Sequence, residues 1–142
     1  GAIAPEALAA WDALKDDVPG LGLLAITSPD LLHRGWSASQ ASRWRKTPPR
    51  NGEGDRRPQA GGGGGHSHVE RLLAPLSPTA GLVTLLDGAP ASLSWLGGVI
   101  GHRVSPLGLD RFGQTGTLGD LYREYRLDVD AIVEAAAELF LD

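Results

Sequence analysis

Helix-patterned segments alternating with short apolar runs predict a parallel α/β fold for this 142-residue chain. Three observations carry the prediction. The runs "LGLLAIT", "GLVTLLDG" and "GHRVSPLGL" start at residues 21, 81 and 101 and lack polar alternation, as in strands covered on both faces, the third being the weakest. The stretches around them space their apolar residues at helical intervals and carry helix start and stop residues. The 42% hydrophobic content is enough for one domain with a real core.

The first helix is predicted over "PEALAAWDALKDDV", where Pro5 and Glu6 suit a first turn. Ala4, Leu8, Trp11 and Val18 share a face, with Leu14 beside it. "PG" ends that helix, and "LGLLAIT" follows as the first buried strand. Ser28 and Pro29 then read as N-cap and first position of a short helix, "DLLHRGW". In "SHVERLLAPL", Ser67 and Glu70 have capping-box spacing ahead of Leu72 and Leu73. "GLVTLLDG" is the second strand, "ASLSWLGGVI" a short helix ending in glycines, and "GHRVSPLGL" the third strand. Leu118, Leu121, Tyr122 and Tyr125 then fall at i, i+3, i+4 and i+7. Asp128 is placed to cap a last helix in which Val129, Ile132, Val133, Ala136 and Phe140 share a face. A parallel sheet entered through a helix, with Gly1 as a turn, calls for a strand upstream of residue 1.

Residues 37–65 read differently. They hold three prolines, many glycines and only Trp44 as a large apolar side chain. Seven of the thirteen basic residues lie between positions 34 and 57, opposed there by Glu53 and Asp55 alone. Such a segment buries too little apolar surface to offset its ordering entropy and is expected to be a mobile insertion. With Trp36 and Trp44 it could contact an RNA or an acidic partner, but charge alone carries no geometry, and a solvated loop is the simpler reading.

The remaining composition narrows the function classes. A net charge of −4 argues against a general nucleic-acid binder. The absence of cysteine rules out a disulfide framework and a thiolate metal site. No apolar run approaches the roughly 18 residues of a membrane span. With no recognisable leader in the sequence, a cytoplasmic location is expected. The chain has no methionine, even at its start, so it is expected to be a processed product or a piece of a longer protein.

"GLDRFGQT", residues 108–115, spells G-x-x-x-x-G-Q-T between a strand and a helix. The phosphate-cradling loop of nucleotide hydrolases has lysine where Gln114 stands, and that lysine supplies the point charge for the terminal phosphates. Asp87, after "LVTLL", is the only arguable magnesium partner. The simpler reading makes Gly108, Asp110, Phe112, Gly113 and Gly116 a structural turn, with Asp110 or Thr115 bonding local amides.

His66, His68 and Glu70 could chelate a metal, although zinc needs three or four fixed ligands and five glycines precede the pair. His33 and His102 lack an evident Ser, Cys or Asp partner and read as structural. Asp16, Asp17, Glu134 and Glu138 read as solvated helix faces, the last two as like charges at i, i+4. No catalytic, cofactor-binding or metal-binding residue is assigned.

"PLGLDRFGQTGTLGDLYREYRLDVDAIVEAAAELF" resembles the end of the transketolase C-terminal domain, a "G-x-D-x-F-G-x-S-(G/A)" turn, a helix, a kink and a last amphipathic helix. Here the turn is Gly108, Asp110, Phe112, Gly113 and Thr115, and the kink reads "YRL", with Arg126 in place of the usual glycine. "GAIAPEALAAWDAL" and "LGLLAITSPDLL" are similar to the "GAI-x-PE" helix and "VTS" strand of the homodimeric pyruvate dehydrogenase decarboxylating component, and "SHVERLL" and "GLVTLLDGAPASLSWLGGVIGHR" fit a bacterial branch of it. The likeness covers nearly the whole chain outside residues 38–65.

The resemblance implies a three-layer α/β/α domain with a mostly parallel, mixed sheet whose first strand precedes "GAI". It implies a non-catalytic buttress that supports a homodimer in an enzyme using thiamine diphosphate and magnesium, both held by upstream pyrophosphate- and pyrimidine-binding domains. The whole enzyme would decarboxylate a 2-oxo acid and acylate the lipoyl group of an acyltransferase component. A transketolase domain and a free-standing interaction or regulatory module are the alternatives. Neither nucleic acid nor membrane is expected as a partner.

Overall fold

The computed structural model describes residues 2–44, 65–111, 113 and 115–141. The chain divides into two compact units, one made of Gly1–Ile26 with Leu76–Asp142, the other of Thr27–Pro75.

In the first unit, helix α1 spans Ala4–Leu14, with proline in its first turn and Glu6 near its positive end. It stops four residues short of Val18. Ala10 is its buried residue and Leu8 is more than half exposed, so the inward face runs through Ile3, Ala7, Ala10 and Leu14, not through Leu8 as the apolar spacing predicted.

Strand β1, Gly81–Leu85, and strand β2, Arg103–Leu107, form a two-stranded parallel sheet, Gly81 opposite Arg103 and Leu85 opposite Leu107. Parallel strands need a crossover. Here it is a 3-10 turn, Pro90–Leu96, running into α4, Gly97–Ile100, closed by Gly101 in the left-handed conformation. The helical segment predicted over "ASLSWLGGVI" is present, and the glycine that closes it is Gly101, with Gly97 and Gly98 inside α4. Leu93, Leu96 and Val99 turn their side chains into the core.

Helix α5 spans Leu118–Glu124 and α6 spans Val129–Leu141. Asp128 accepts the Ala131 amide at 3.2 Å, the N-cap its position predicted. Helix α6 packs on both strands and α1 packs on α6. The buried face of α6 is Ala131, Ile132 and Ala135; of the predicted stripe Ile132 is buried and Val129, Val133 and Ala136 are half-buried, whereas Phe140 is 69% exposed. Small residues face inward because α1 and the strands both approach this helix; a Cβ on Gly81 would already crowd the Leu139 side chain. The Arg103 guanidinium donates to the Leu139 carbonyl and ties β2 to the end of α6.

The predicted first strand is not one. Residues 21–26 adopt no regular structure, and Leu23 and Leu24 are about half exposed. An apolar run becomes a strand only when a neighbour takes its amides and carbonyls. Among the described residues none pairs with it. What stands is a mixed α/β fold with a two-stranded parallel sheet packed against helices.

The second unit is a helix pair. Helix α2 spans Pro29–Trp44, with the Ser28 carbonyl accepting the Leu32 amide at 3.2 Å. It is longer than "DLLHRGW" and continues through eight residues assigned above to the insertion. The rest of that insertion, residues 45–64, lies outside the described residues. Helix α3, His68–Leu73, begins with the predicted capping box, Ser67 accepting the Glu70 amide while the Glu70 carboxylate accepts the Ser67 amide. Val69 and Leu73 are its buried apolar residues. Arg43 of α2 makes two bonds, at 2.7 and 3.1 Å, to the Glu70 carboxylate.

Candidate functional site

The segment after β2 begins by lacing two strand ends together. The Leu86 amide donates to the Leu107 carbonyl at 3.1 Å, and the Leu109 amide to the Gly88 carbonyl at 2.7 Å. Gly108 lies buried between these bonds. A Cβ there would overlap the Gly88 carbonyl oxygen and stand 2.9 Å from the Pro90 nitrogen. Backbone meets backbone at this point, and only glycine fits.

Asp110 is exposed and faces the Arg111 guanidinium at 3.8 Å. The helix start is capped by Thr117, which accepts the Asp120 amide at 3.3 Å. Its hydroxyl also donates to the Asp120 carboxylate at 2.6 Å, and these bonds hold that carboxyl below its usual pKa. Gly113 has φ of +105°, a left-handed conformation that side chains resist. Gly116 is exposed beside Asp120. Phe112 and Gln114 lie outside the described residues. Helix α5 starts at Leu118, so its first amides lie beyond the G-x-x-x-x-G-Q-T stretch.

Helix α5 ends where the sequence carries "YRL". The Leu127 amide donates to the Tyr122 carbonyl at 2.7 Å and the Arg126 amide to the Arg123 carbonyl at 3.3 Å, a Schellman closure with Arg126 at its left-handed position. Arg126 takes φ of +54°, which a glycine would adopt without strain. Its guanidinium pairs with Glu134, so that carboxylate is not simply solvated. Leu127, 1% exposed, is among the most buried side chains and anchors the bend.

Between these turns lies a groove of roughly 220 Å³. Ile3, Leu109, Leu121, Tyr122 and Leu127 give it apolar walls, and Asp87 and Arg111 add charged groups. Asp87 follows the carboxyl end of β1, and Leu109 and Arg111 follow that of β2. The sequence marked Asp87 only as an arguable magnesium partner. The contribution of Ile3 from the start of the chain had no local signal at all.

Two of the histidines make packing contacts. His102 is buried, and its Nδ1 lies 3.0 Å from the Ala80 carbonyl, pinning the chain just before β1. His33 stacks obliquely on Trp36, centroids 5.9 Å apart. The His66 carbonyl accepts from Arg71, and the Glu70 carboxylate is taken up by Ser67 and Arg43. Among the described residues no three His, Asp or Glu side chains converge as metal ligands. Burial opposes ionisation of Glu70, but the Arg43 bonds and the Ser67 amide outweigh it and lower the pKa from 4.5 to about 2. Among the described residues no helix is long and apolar enough to cross a membrane.

Comparison with known proteins gives a distant and partial likeness. The chain is 37% identical over 51 residues to a chloroplastic transketolase of Craterostigma plantagineum, a match covering 36% of this chain and 10% of that protein. No family model matches the chain. No solved structure matches it significantly.

Proposed function

We propose that the chain is a C-terminal, non-catalytic domain of a thiamine-diphosphate-dependent enzyme of the transketolase kind. The observation that carries this reading is the 37% identity to a chloroplastic transketolase. The site geometry is compatible with it: the glycine-rich turn serves backbone packing, and the most perturbed carboxylate, Glu70, is spent on capping and an ion pair. In this role the domain buttresses upstream cofactor-binding domains and a homodimer. Further strands beside residues 21–26 would complete a three-layer α/β/α sheet. Thiamine diphosphate and magnesium would be bound by those upstream domains.

A 2-oxo acid dehydrogenase decarboxylating component, with a lipoyl acyltransferase as partner, is the second reading. It rests on the likeness of "GAIAPEALAAWDAL" and "LGLLAITSPDLL" to that family. Assays of the full-length protein separate the two. Ketol transfer between sugar phosphates is expected, and decarboxylation of a 2-oxo acid with an artificial electron acceptor would favour the second. Calorimetry of the 142-residue chain with thiamine diphosphate and magnesium should give no binding heat. Saturable binding, or a parent protein with neither activity, defeats the buttress reading and leaves an independent binding module.

A further inference from the structure

The groove between the 108–116 turn and α5 has the position and chemistry of a ligand site. It opens beyond the carboxyl ends of β1 and β2, where parallel α/β sheets bind their ligands because loops and strand ends converge there. Its roughly 220 Å³ is below the range of drug-sized pockets, so its ligand is small.

Charge chooses the ligand class. Arg111 is already engaged, 3.0 Å from Glu124 and 3.8 Å from Asp110, and has little attraction left for an anion. Asp87 is exposed and, among the described residues, has no hydrogen bond or ion pair. The groove therefore carries uncompensated negative charge. Tyr122 and Tyr125 both line it, and aromatic faces attract cations.

We propose that this groove binds a small organic ammonium, a ring or short branched chain carrying one cationic nitrogen, with Asp87 and the Tyr122 and Tyr125 rings receiving the nitrogen and Ile3, Leu109 and Leu121 the apolar body.

The test is an amide chemical-shift titration of the 142-residue chain with 2-phenylethylammonium, against 3-phenylpropionate as an anion of the same shape. Saturable shifts are expected at residues 86–88, 109–111 and 118–127 with the amine only. Asp87→Asn is expected to weaken binding about three- to fivefold, the range of an exposed charge pair. Tyr125→Leu should weaken it by about two- to fivefold, the range of an exposed cation–π contact. Equal binding of the carboxylate, shifts centred elsewhere, no saturation, or unchanged affinity in either variant overturns the proposal. None of these outcomes bears on the transketolase reading, which the enzyme assays decide separately.

Discussion

Single side chains decide this structure where backbone approaches backbone. Gly108 lacks a Cβ because the Gly88 carbonyl occupies its place, and the Leu109–Gly88 hydrogen bond depends on that approach. Gly108→Ala must separate the strand ends or lose the bond. Overpacking of this kind costs about 2 kcal/mol, with the missing bond adding about 1 kcal/mol. Gly119→Ala is the control: nothing lies within 4 Å of its Cβ and it sits inside α5, so the change should stabilise by about 0.5 kcal/mol. Urea denaturation of the two variants measures both. Equal effects would remove the claim that the turn exists for packing. Arg126 makes the complementary point, since the bend before α6 keeps its Schellman geometry without glycine. The hydrogen bonds and the buried Leu127 hold the bend, and the Glu134 ion pair accompanies the strained residue.

Among the elements, the α2–α3 pair depends most on one ionised group. Glu70 joins the capping box of α3 to Arg43 of α2, and its folded pKa of about 2 lies below the ordinary 4.5. A depressed carboxylate stabilises fully above its unfolded pKa and loses that contribution as pH falls through the folded one. Stability of the helix pair should therefore drop between about pH 4.5 and 2, by roughly 2 kcal/mol once screening at the partly exposed Arg43 is allowed for. Glu70→Gln should flatten that pH dependence in circular-dichroism melts; an unchanged profile would mean the pair contributes nothing. The capping box was legible in the sequence because its partners are three residues apart, whereas Arg43 is 27 away and gave no signal. The same distinction runs through the fold. Strands β1 and β2, the α3 capping box and the Asp128 cap followed from local chemistry, while the Thr117 cap of α5, the inward face of α1 and part of that of α6 did not. Those faces are set by what packs against them, and small Ala10, Ala131 and Ala135 win because the approach is close. At the candidate site, Asp87 and the glycines were visible in the sequence, but the groove takes a wall from Ile3, more than a hundred residues from Tyr122.

At the scale of the whole molecule, the first unit carries more unmet chemistry than a self-sufficient domain usually does. Leu8, Leu23, Leu24, Ile100 and Phe140 are each about half exposed or more. Trp11 Nε1, Thr84 Oγ1, His102 Nε2 and Tyr122 Oη are buried without partners among the described residues. Native structures leave few such atoms, and contiguous exposed apolar surface marks contact with another chain or domain. The sheet compounds this, because its two strands leave an unpaired edge on each side among the described residues. Residues 21–26 are apolar and strand-like in composition yet unpaired, so they are the part of the surface most in need of cover. The 142-residue chain alone should therefore self-associate in a concentration-dependent way in sedimentation-velocity runs. Leu23→Ser with Leu24→Ser should weaken that association at least about tenfold, since covering each half-exposed leucine is worth on the order of 1 kcal/mol. Neither leucine is a buried core residue, so the melting temperature should stay near that of the parent chain. A monomer at every concentration, or association indifferent to both leucines, would mean that this surface is simply solvated and that the buttress role must draw on another face.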